Sequence, residues 1–277
     1  VVDNGSTDGS PEMVSADFPE CTLLAQTTNL GFAEGCNRGI EAATGPWVAM
    51  LNNDCIADPG WARALVDAAE HAAPACGMLQ SLLLFLERPD AINSTGIELT
   101  AHGGGRDRDR DRPRPAVDAA TPEPIFCPTA GAAAYRRAML DAIRLSTGYF
   151  DRDYFMYLEE LDLGWRARLA GWTAHYIPGS VVYHRWHGSS DRHGRSWLVI
   201  AVGINRVRTL LKNASPLFLA KAGVVFGFEI VELMTHGGLP AVRRLIVAVR
   251  RSLARRREVS AMARVERRAV ERAWMVK

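Results

Sequence analysis

Short apolar runs bounded by turn-forming residues alternate with amphipathic segments along most of the chain. A short apolar run of this kind is typical of a buried strand, whereas apolar positions repeating every three to four residues indicate a helix. The pattern predicts strands at 1–2, 22–26, 47–51, 77–86, 125–135, 173–177 and 181–183, and helices that begin at Ser10 and cover 32–43, 59–73 and 154–170. Such alternation predicts an α/β fold with a mixed, mostly parallel sheet flanked by helices.

From Ser196 onward the sequence has helical character, so we expect an α/β domain at 1–195 and a helical region at 196–277. Residues 241–277 contain 12 basic and three acidic side chains, whereas the rest of the chain has a net charge of −7. This balance argues against nucleic acid as a partner. Apolar and Arg positions alternate at helical spacing in the tail, which suits a helix lying on an anionic membrane. A packed or dimerising helix explains the tail almost equally well.

Five cysteines form no Cys-x-x-Cys pair, and their odd number favours reduced thiols over a disulfide framework or a zinc site. The longest apolar run, 217–234, is interrupted by Lys221, Glu229 and Glu232, so no membrane-spanning helix is expected. We therefore expect a cytoplasmic protein, with peripheral attachment to the inner face of the cell membrane as a further option.

An alternating Arg-Asp stretch follows three glycines at 103–115. An exposed mobile loop is the simpler interpretation, and a loop that orders over a bound substrate is the alternative.

Polar clusters follow several predicted strands, where α/β sheets place their ligands. Asp3, Asn4, Ser6 and Asp8 follow the first strand, and Asn52, Asn53 and Asp54 follow the strand at 47–51. A carboxylate at that sheet edge can bind a divalent cation that holds a diphosphate. Ordinary turns at strand ends explain the same residues.

Glu159, Glu160 and Asp162 crowd three carboxylates into four helical positions, which raises at least one pKa, as a general base requires. His184 ends the last predicted strand and suits a metal ligand, with His187 three residues further on. A solvated first helical turn and an exposed histidine are the simpler explanations.

The order and spacing of these clusters resemble the family 2 glycosyltransferases, which have the GT-A fold, and especially their rhamnosyltransferase-like branch. The segment Val-Val-Asp-Asn-Gly-Ser-Thr-Asp-Gly-Ser at 1–10 resembles the family's nucleotide-binding loop. Residues 29–40 resemble its second donor signature, and residues 51–54 resemble its metal-binding Asp-x-Asp motif. Residues 148–163 resemble its catalytic-base segment, and residues 183–189 resemble the segment of its late histidine. The resemblance extends over about residues 1–213.

The resemblance implies inverting transfer of a sugar from dTDP-rhamnose or a UDP-sugar to a hydroxyl of a growing cell-surface glycan or lipid-linked acceptor. It implies Mg²⁺ or Mn²⁺ at Asp54 and His184, and Glu160 as the base, with Glu159 and Asp162 as alternatives. Trp186 and His187 are expected near the acceptor. The residues implied to bind the nucleotide-sugar are Asp3, Asn4, Ser6, Asp8, Asn29, Gly31, Phe32, Asn37, Arg38, Asn52 and Asn53.

Three departures accompany the resemblance. Asn52 stands where the metal motif begins with Asp, and Glu160 stands where the base is usually Asp. The family's opening strand and the helix after it are not seen, and their loss would leave an apolar sheet edge unpaired. A non-catalytic GT-A-like protein that binds a nucleotide-sugar or a membrane partner is the alternative function. A nucleotidyltransferase is disfavoured because no Gly-rich, Lys-bearing phosphate loop is present.

Overall fold

The computed structural model describes residues 1–114, 121–185 and 194–276. The helices are α1 Ser10–Asp17, α2 Phe32–Ala42, α3 Trp61–Glu70, α4 Arg137–Ala142, α5 Glu159–Leu169, α6 Arg195–Asn213, α7 Pro216–Met262 and α8 Arg267–Trp274, with a 3₁₀ turn at Arg152–Tyr154. The strands are β1 Val2–Asp3, β2 Leu24–Ala25, β3 Trp47–Leu51, β4 Cys55–Ala57, β5 Cys76–Phe85, β6 Ile92–Ser94, β7 Ile97–Thr100, β8 Gly105–Asp107, β9 Glu123–Pro124, β10 Ala132–Arg136, β11 Thr173–His184 and β12 Met275–Val276.

The central sheet has the order β3-β10-β5-β11-β4, with β6 beside β5 and β9 beside β11. The predicted mixed sheet flanked by helices is confirmed. More neighbouring strands of this sheet are antiparallel than the predicted mostly parallel sheet would have. One reason is that β10 runs in the opposite direction between β3 and β5. Strands β5 and β11 form a parallel pair. Since β3, β5 and β11 point the same way, their carboxyl ends reach the same edge of the sheet.

Two small sheets flank the central one. Strands β1 and β2 pair in parallel, with Val2 opposite Leu24. Strand β12, close to the C-terminus, joins β7 and β8. The last strand thereby ties the helical region back to the α/β part of the molecule.

The core forms around β5, which is buried along its whole length, and around α5. Trp165 of α5 lies between Phe126 and Phe218, with ring centroids 6.2 and 6.3 Å away. Phe218 belongs to α7, so the helical region contributes to this core. The division of the chain into an α/β domain at 1–195 and a helical region at 196–277 stays a prediction.

Some predicted bounds differ from those observed. Helix α5 begins at Glu159, and not at 154, because Phe155, Tyr157 and Leu158 have positive φ angles of 63°, 75° and 67°. β11 runs through both predicted strands at 173–183 by way of an irregularity between Ile177 and Val181. Helix α7 bends at Gly238, which has non-helical backbone angles two residues before Pro240.

The Arg-Asp segment is an ordered structure over its described residues, 103–114, and not the unstructured loop of the simpler interpretation. Strand β8 pairs with β7, and opposite charges along the turn bond to one another or to neighbouring loops. Arg88 Nη2 lies 2.8 Å from Asp111 Oδ1, and Arg112 Nη1 lies 2.8 Å from Asp109 Oδ1. The alternating charge is therefore satisfied by ion pairs within the fold.

No helix in the described part of the chain combines the length and apolar character that crossing a bilayer requires.

Candidate active site

Asp54 and His184 meet at the carboxyl edge of the central sheet. Asp54 directly precedes β4, and β4 pairs with β11 so that Cys55 lies opposite His184, the last residue of β11. His184 Nε2 is 3.5 Å from Asp54 Oδ1. The two residues that the resemblance assigns to the metal, 130 positions apart in sequence, are thus neighbours.

The environment of His184 suits a metal ligand. Its Nδ1 lies 2.9 Å from Asn93 Oδ1, an acceptor, which assigns the proton to Nδ1 and leaves the Nε2 lone pair directed toward Asp54. Metal-binding histidines commonly donate their second nitrogen to an oxygen in this way. The carboxylate oxygen and imidazole nitrogen are donors that Mn²⁺ accepts readily, so the residues present fit a divalent cation.

Cys55 lies close to this pair but has a different character. Burial, assisted by the charge of Asp54, raises the pKa of the Cys55 thiol to about 12. Mg²⁺ and Mn²⁺ prefer harder donor atoms than sulfur. The candidate ligands for such a cation are therefore Asp54 and His184.

The glutamates at the start of α5 are held by an unusual turn. Asn205 of α6 donates its side-chain amide to the carbonyl oxygens of Tyr154, Met156 and Tyr157, at 3.0, 2.9 and 2.9 Å. Phe155, Tyr157 and Leu158, three non-glycine residues with positive φ within this turn, would cost conformational free energy on their own. Asn205 offsets that cost and fixes where Glu159 and Glu160 lie.

Glu160 has the properties of a general base. Burial raises the pKa of Glu160 to about 7, and the charge of Asp107 contributes in the same direction. Its Oε2 has no hydrogen-bond partner among the described residues. A base is most effective when its pKa lies near the working pH. Glu159 is more deeply buried, and burial together with the charge of Glu160 holds the pKa of Glu159 well above its usual range.

Asp107 interacts electrostatically with both Glu160 and His184. Burial raises the pKa of Asp107, while a hydrogen bond from Ser94, the nearby Arg110 and the charge of His184 oppose that shift. Asp107 therefore lies within electrostatic range of both Glu160 and His184.

Asp162 has a structural role, which corrects its place among the candidate bases. The side chain is fully buried, and its Oδ2 is 3.0 Å from both Arg166 Nε and Lys212 Nζ. Asn213 donates to the other oxygen at 2.8 Å. A carboxylate with both oxygens paired inside the core is unavailable to a substrate.

The two donor segments predicted from sequence lie against each other. Asn4 donates to Asn29 Oδ1 and to the carbonyl of Gly31, both at 3.1 Å, and accepts from the Leu30 amide at 2.9 Å. Asp3, at the end of β1, accepts the backbone amides of Gly5 and Ser6 at 3.1 Å. Their contacts shape a single loop cluster at the end of β1.

Gly31 joins this cluster to the turn before α5. Its φ is +84°, and a Cβ there would lie 2.5 Å from the Phe155 ring. The Ala33 amide also donates to the Phe155 carbonyl at 3.2 Å. Any larger residue at 31 would push the donor cluster away from the turn that carries the base.

Asn37 and Arg38 of α2 make no hydrogen bond to the loop at 3–6 among the described residues. Asn37 is buried, and its side-chain amide donates to and accepts from the backbone of Phe150 at 2.8 and 2.9 Å. Arg38 forms an ion pair with Glu34 at 3.0 Å, and both Asn37 and Arg38 line a cleft beside Arg144. Asn37 therefore connects α2 to the segment that carries Phe150, whereas the ion pair of Arg38 lies within α2.

The remaining predicted residues lie at or near loop ends. Asp8 accepts from the backbone and hydroxyl of Ser10 at 3.1 and 2.6 Å, at the start of α1. The backbone amide of Asn52, directly after β3, donates to the Gly131 carbonyl at 2.9 Å. Ser6 and Asn53 are exposed, and Phe32 opens α2. Trp186 and His187 lie outside the described residues.

Sequence reasoning missed Asn93, Asn205 and Asp107. Each has polar neighbours in sequence that do not distinguish it: Ser94 after Asn93, Arg206 after Asn205, and the Arg-Asp stretch around Asp107. Their functions depend on partners far away in sequence, so no local signal identified them.

Comparison with known proteins identifies the family. The Glycosyl transferase family 2 model matches residues 1–144. In an alignment of 227 residues that covers 72% of this chain and 69% of the relative, the chain is 30% identical to the N-acetylglucosaminyl-diphospho-decaprenol L-rhamnosyltransferase of Mycobacterium tuberculosis.

Two solved structures share the fold. One is GalNAc-T7 with UDP, GalNAc and Mn²⁺, at 15% identity and a TM-score of 0.55, where the match covers 76% of this chain and 41% of that one. The other is the mannosyltransferase PcManGT from Pyrobaculum calidifontis with GDP-Man and Mn²⁺, at 18% identity and a TM-score of 0.51, covering 99% of this chain and 77% of that one.

Proposed function

Since the chain belongs to glycosyl transferase family 2 and has the GT-A fold of a glycosyltransferase, we propose that it transfers a sugar, with inversion, from a nucleotide-diphosphate donor to a lipid-linked glycan. The name of the mycobacterial relative supports L-rhamnose as the sugar and a diphosphate-linked polyprenol glycan as the acceptor. A dTDP-linked rhamnose donor fits that choice, with a UDP-sugar as the alternative.

The meeting of Asp54 and His184 at the carboxyl edge of the central sheet, with 3.5 Å between Oδ1 and Nε2, is the observation that carries the proposal. Glu160, whose Oε2 has no hydrogen-bond partner among the described residues, supplies the candidate base. Inverting transfer needs these two elements: a base for the acceptor and positive charge for the leaving diphosphate.

Glu160 accepts the proton of the acceptor hydroxyl as the hydroxyl oxygen bonds to the anomeric carbon. The bond from that carbon to the nucleoside diphosphate breaks on the opposite face, so the configuration inverts. Glu160 then returns its proton to water. Asp54 and His184 would hold Mg²⁺ or Mn²⁺, which supplies positive charge beside the diphosphate when bound.

The loop cluster formed by Asp3, Asn4 and Asn29 positions the donor. Asp3 and the exposed Ser6 lie at the end of β1, where α/β sheets bind nucleotides. Asn4 and Asn29 keep this loop closed against Gly31. Gly31 in turn lies against Phe155, in the turn that leads into Glu160.

The outer face of α7 supports attachment to a membrane. The buried residues of its first half, among them Phe218, Ala222 and Leu233, lie on one face. The opposite face exposes apolar side chains, with Phe228 at 70% and Val231 at 61%. Such an uncovered apolar helix face is typical of proteins that lie on a lipid surface.

The second half of α7 adds positive charge to that face. Arg250 and Arg257 are exposed beside Val247, and neither forms an ion pair with another described residue. Basic side chains near anionic lipids each contribute about 1 kcal/mol of attraction. We propose peripheral attachment at the inner face of the cell membrane. The protein should cosediment with vesicles containing phosphatidylglycerol and not with phosphatidylcholine alone; equal binding to both would contradict the proposal.

The test of the catalytic proposal is metal-dependent transfer in an Asp54→Asn variant. Transfer and Mn²⁺-dependent binding of the nucleotide diphosphate should both fall at least tenfold while the melting temperature is retained. Asp67→Asn, on the exposed face of α3, is the matched control and should behave like the wild type. Undiminished metal-dependent transfer by Asp54→Asn would refute the proposal, and nucleotide binding by the wild type without any transfer would indicate the non-catalytic alternative.

A further inference from the structure

A cleft of about 290 Å³ lies between the turn at 153–155, α6 and the second half of α7. Its lining combines aromatic and aliphatic side chains, including Phe155, Trp197 and Ile204, with the guanidinium groups of Arg208 and Arg244. None of these residues belongs to the donor cluster or to the Asp54–His184 pair. The cleft is therefore a separate binding site.

Arg208 lines the cleft, and its guanidinium group is incompletely paired. Its side chain is only 13% exposed, and its Nε is buried without a hydrogen-bond partner among the described residues. Its ion pair with Asp153 is long, at 3.9 Å between Nη1 and Oδ2. A buried guanidinium left in this condition favours an additional anion.

The charge of the cleft is positive. Asp153 is the acidic residue in the lining, and Arg251 already pairs with it at 2.8 Å. Asp153 is thus shared between Arg251 and Arg208, and with Arg244 in the lining the cleft has an excess of positive charge. Guanidinium forks bind phosphate oxygens in a bidentate manner, and two of them suit a diphosphate.

The apolar part of the lining suits a hydrocarbon chain. Phe155 and Trp197 meet edge to face with centroids 6.3 Å apart, and Ala201 and Ile204 of α6 continue the apolar surface. The volume accommodates a diphosphate and the first units of a chain, and the rest would leave through the open mouth. This combination distinguishes a lipid diphosphate from a free sugar.

The cleft is directly connected to the base. Asn205 lines it and also holds the turn that leads into Glu159 and Glu160. Trp197 packs on Tyr157 of the same turn, with centroids 6.1 Å apart. An occupant of the cleft is therefore separated from the base by a single turn of the chain.

We infer that this cleft binds the diphosphate and first isoprenoid units of the lipid-linked acceptor, an inference that rests on the proposed function for the identity of the acceptor. The cleft anchors the lipid diphosphate while the sugar hydroxyl reaches Glu160. Arg208 and Arg244 then determine whether an acceptor carries the required phosphate groups.

Direct binding tests the inference without transfer. Farnesyl diphosphate, farnesol and inorganic pyrophosphate are titrated into the protein by calorimetry in EDTA, which disables metal-dependent binding at the donor site. The wild type should bind farnesyl diphosphate at least tenfold more tightly than either of the other probes. Arg244→Gln and Arg208→Gln should each weaken that binding about tenfold, whereas Arg268→Gln, an exposed arginine of α8, should leave it unchanged.

Arg244 is exposed, so its variant should fold normally even if Arg208→Gln does not. Farnesyl diphosphate binding that is equal in Arg244→Gln and the wild type would overturn the inference. Absence of binding by the wild type, or equal binding of farnesol, would also overturn it.

A transfer assay separates this inference from the proposed function. With a lipid diphosphate-linked sugar as acceptor, Arg244→Gln should raise KM about tenfold at constant kcat, and with the octyl glycoside of the same sugar it should change neither. If no acceptor is glycosylated but the binding pattern holds, the proposed function fails and the cleft remains a lipid-diphosphate site. If transfer occurs and KM is unchanged by Arg244→Gln, the inference fails alone.

Discussion

Glu160 and Asp162 lie two residues apart on α5 and experience opposite environments. Asp162 is paired with Arg166, Lys212 and Asn213 inside the core. Glu160 has an oxygen without a hydrogen-bond partner among the described residues, and its pKa is raised to about 7. The comparison shows that a buried carboxylate paired with cations stabilises the fold. A buried carboxylate without a cation nearby has a raised pKa and can accept a proton near neutral pH.

The same contrast extends to the neighbours of each group. Lys212 also bonds to Asp151 at 2.6 Å, and although burial alone would raise the pKa of Asp151, the charge of Lys212 lowers it below its usual range. Around Glu160 the nearby charge is that of Asp107, which raises the pKa of Glu160 further. Within the first turn of α5, one carboxylate is therefore structural and its neighbour is suited to proton transfer.

Removing the base carboxylate should give the largest effect on activity. Glu160→Gln should lower the transfer rate 10²–10⁴-fold, the usual contribution of a general base. The free energy of unfolding should not fall, because the variant removes a charge that burial disfavours. Initial rates and denaturant unfolding of the same preparation measure both quantities.

Glu159→Gln is the control for that result. A small effect at 159 beside a large one at 160 would assign the base to Glu160. A larger loss of activity in Glu159→Gln than in Glu160→Gln would instead assign the base to Glu159.

Removing the shared cation should give the largest effect on stability. Lys212→Met leaves Asp151 and Asp162 with less compensation in the core, and breaking a buried pair costs about 3–5 kcal/mol. Urea unfolding should show a midpoint shift of that size. Arg63→Met, which breaks an exposed pair with Asp67, should cost less than about 1 kcal/mol; equal costs would show that the buried network is not structural.

Loosening the turn before α5 should lower activity more moderately. Asn205→Ala removes the donor to three carbonyl oxygens and should reduce kcat about tenfold, while KM for the donor changes little. Asn205 also lines the acceptor cleft, so the donor is the substrate to vary. A kcat equal to that of the wild type would show that the turn keeps its shape without this side chain.

Neutralising Asp107 should give the smallest effect. Asp107→Asn removes a charge that raises the pKa of Glu160, so that pKa should fall by a fraction of a unit. The pH–rate profile should move toward lower pH in the variant. A shift toward higher pH would show that Asp107 acts on another group.

The resemblance to the family assigned Asp54 and His184 to one metal site, and the structure brings the two side chains together at the carboxyl edge of the central sheet. The resemblance also assigned Asn4 and Asn29 to the donor site, and the structure shows the hydrogen bond between them. The raised pKa that was expected among the crowded carboxylates is found at Glu159 and Glu160.

The roles of Asp162 and Asn37 were not predictable in the same way. Lys212, which neutralises Asp162, lies fifty positions further along the chain on α6, and Phe150, which binds Asn37, is more than a hundred positions away. Periodicity reports which face of a helix is apolar and not which distant group will be packed against it. The Arg-Asp stretch was ambiguous for a related reason. Its composition is typical of a solvated loop, and only the structure identifies the ion-pair partners that order it.

The pH dependence of kcat tests the central claim most directly. The pKa of Glu160 in the folded protein, about 7, lies above the ordinary value of 4.5, so the base is protonated and inactive below this pKa and charged above it. With saturating donor, acceptor and Mn²⁺, kcat should rise with pH to a plateau with a midpoint near 7, and the slow residual rate of Glu160→Gln should lack that rise. A wild-type kcat that is flat from pH 5 to pH 9, or the same rise in Glu160→Gln, would contradict the assignment of Glu160 as the base.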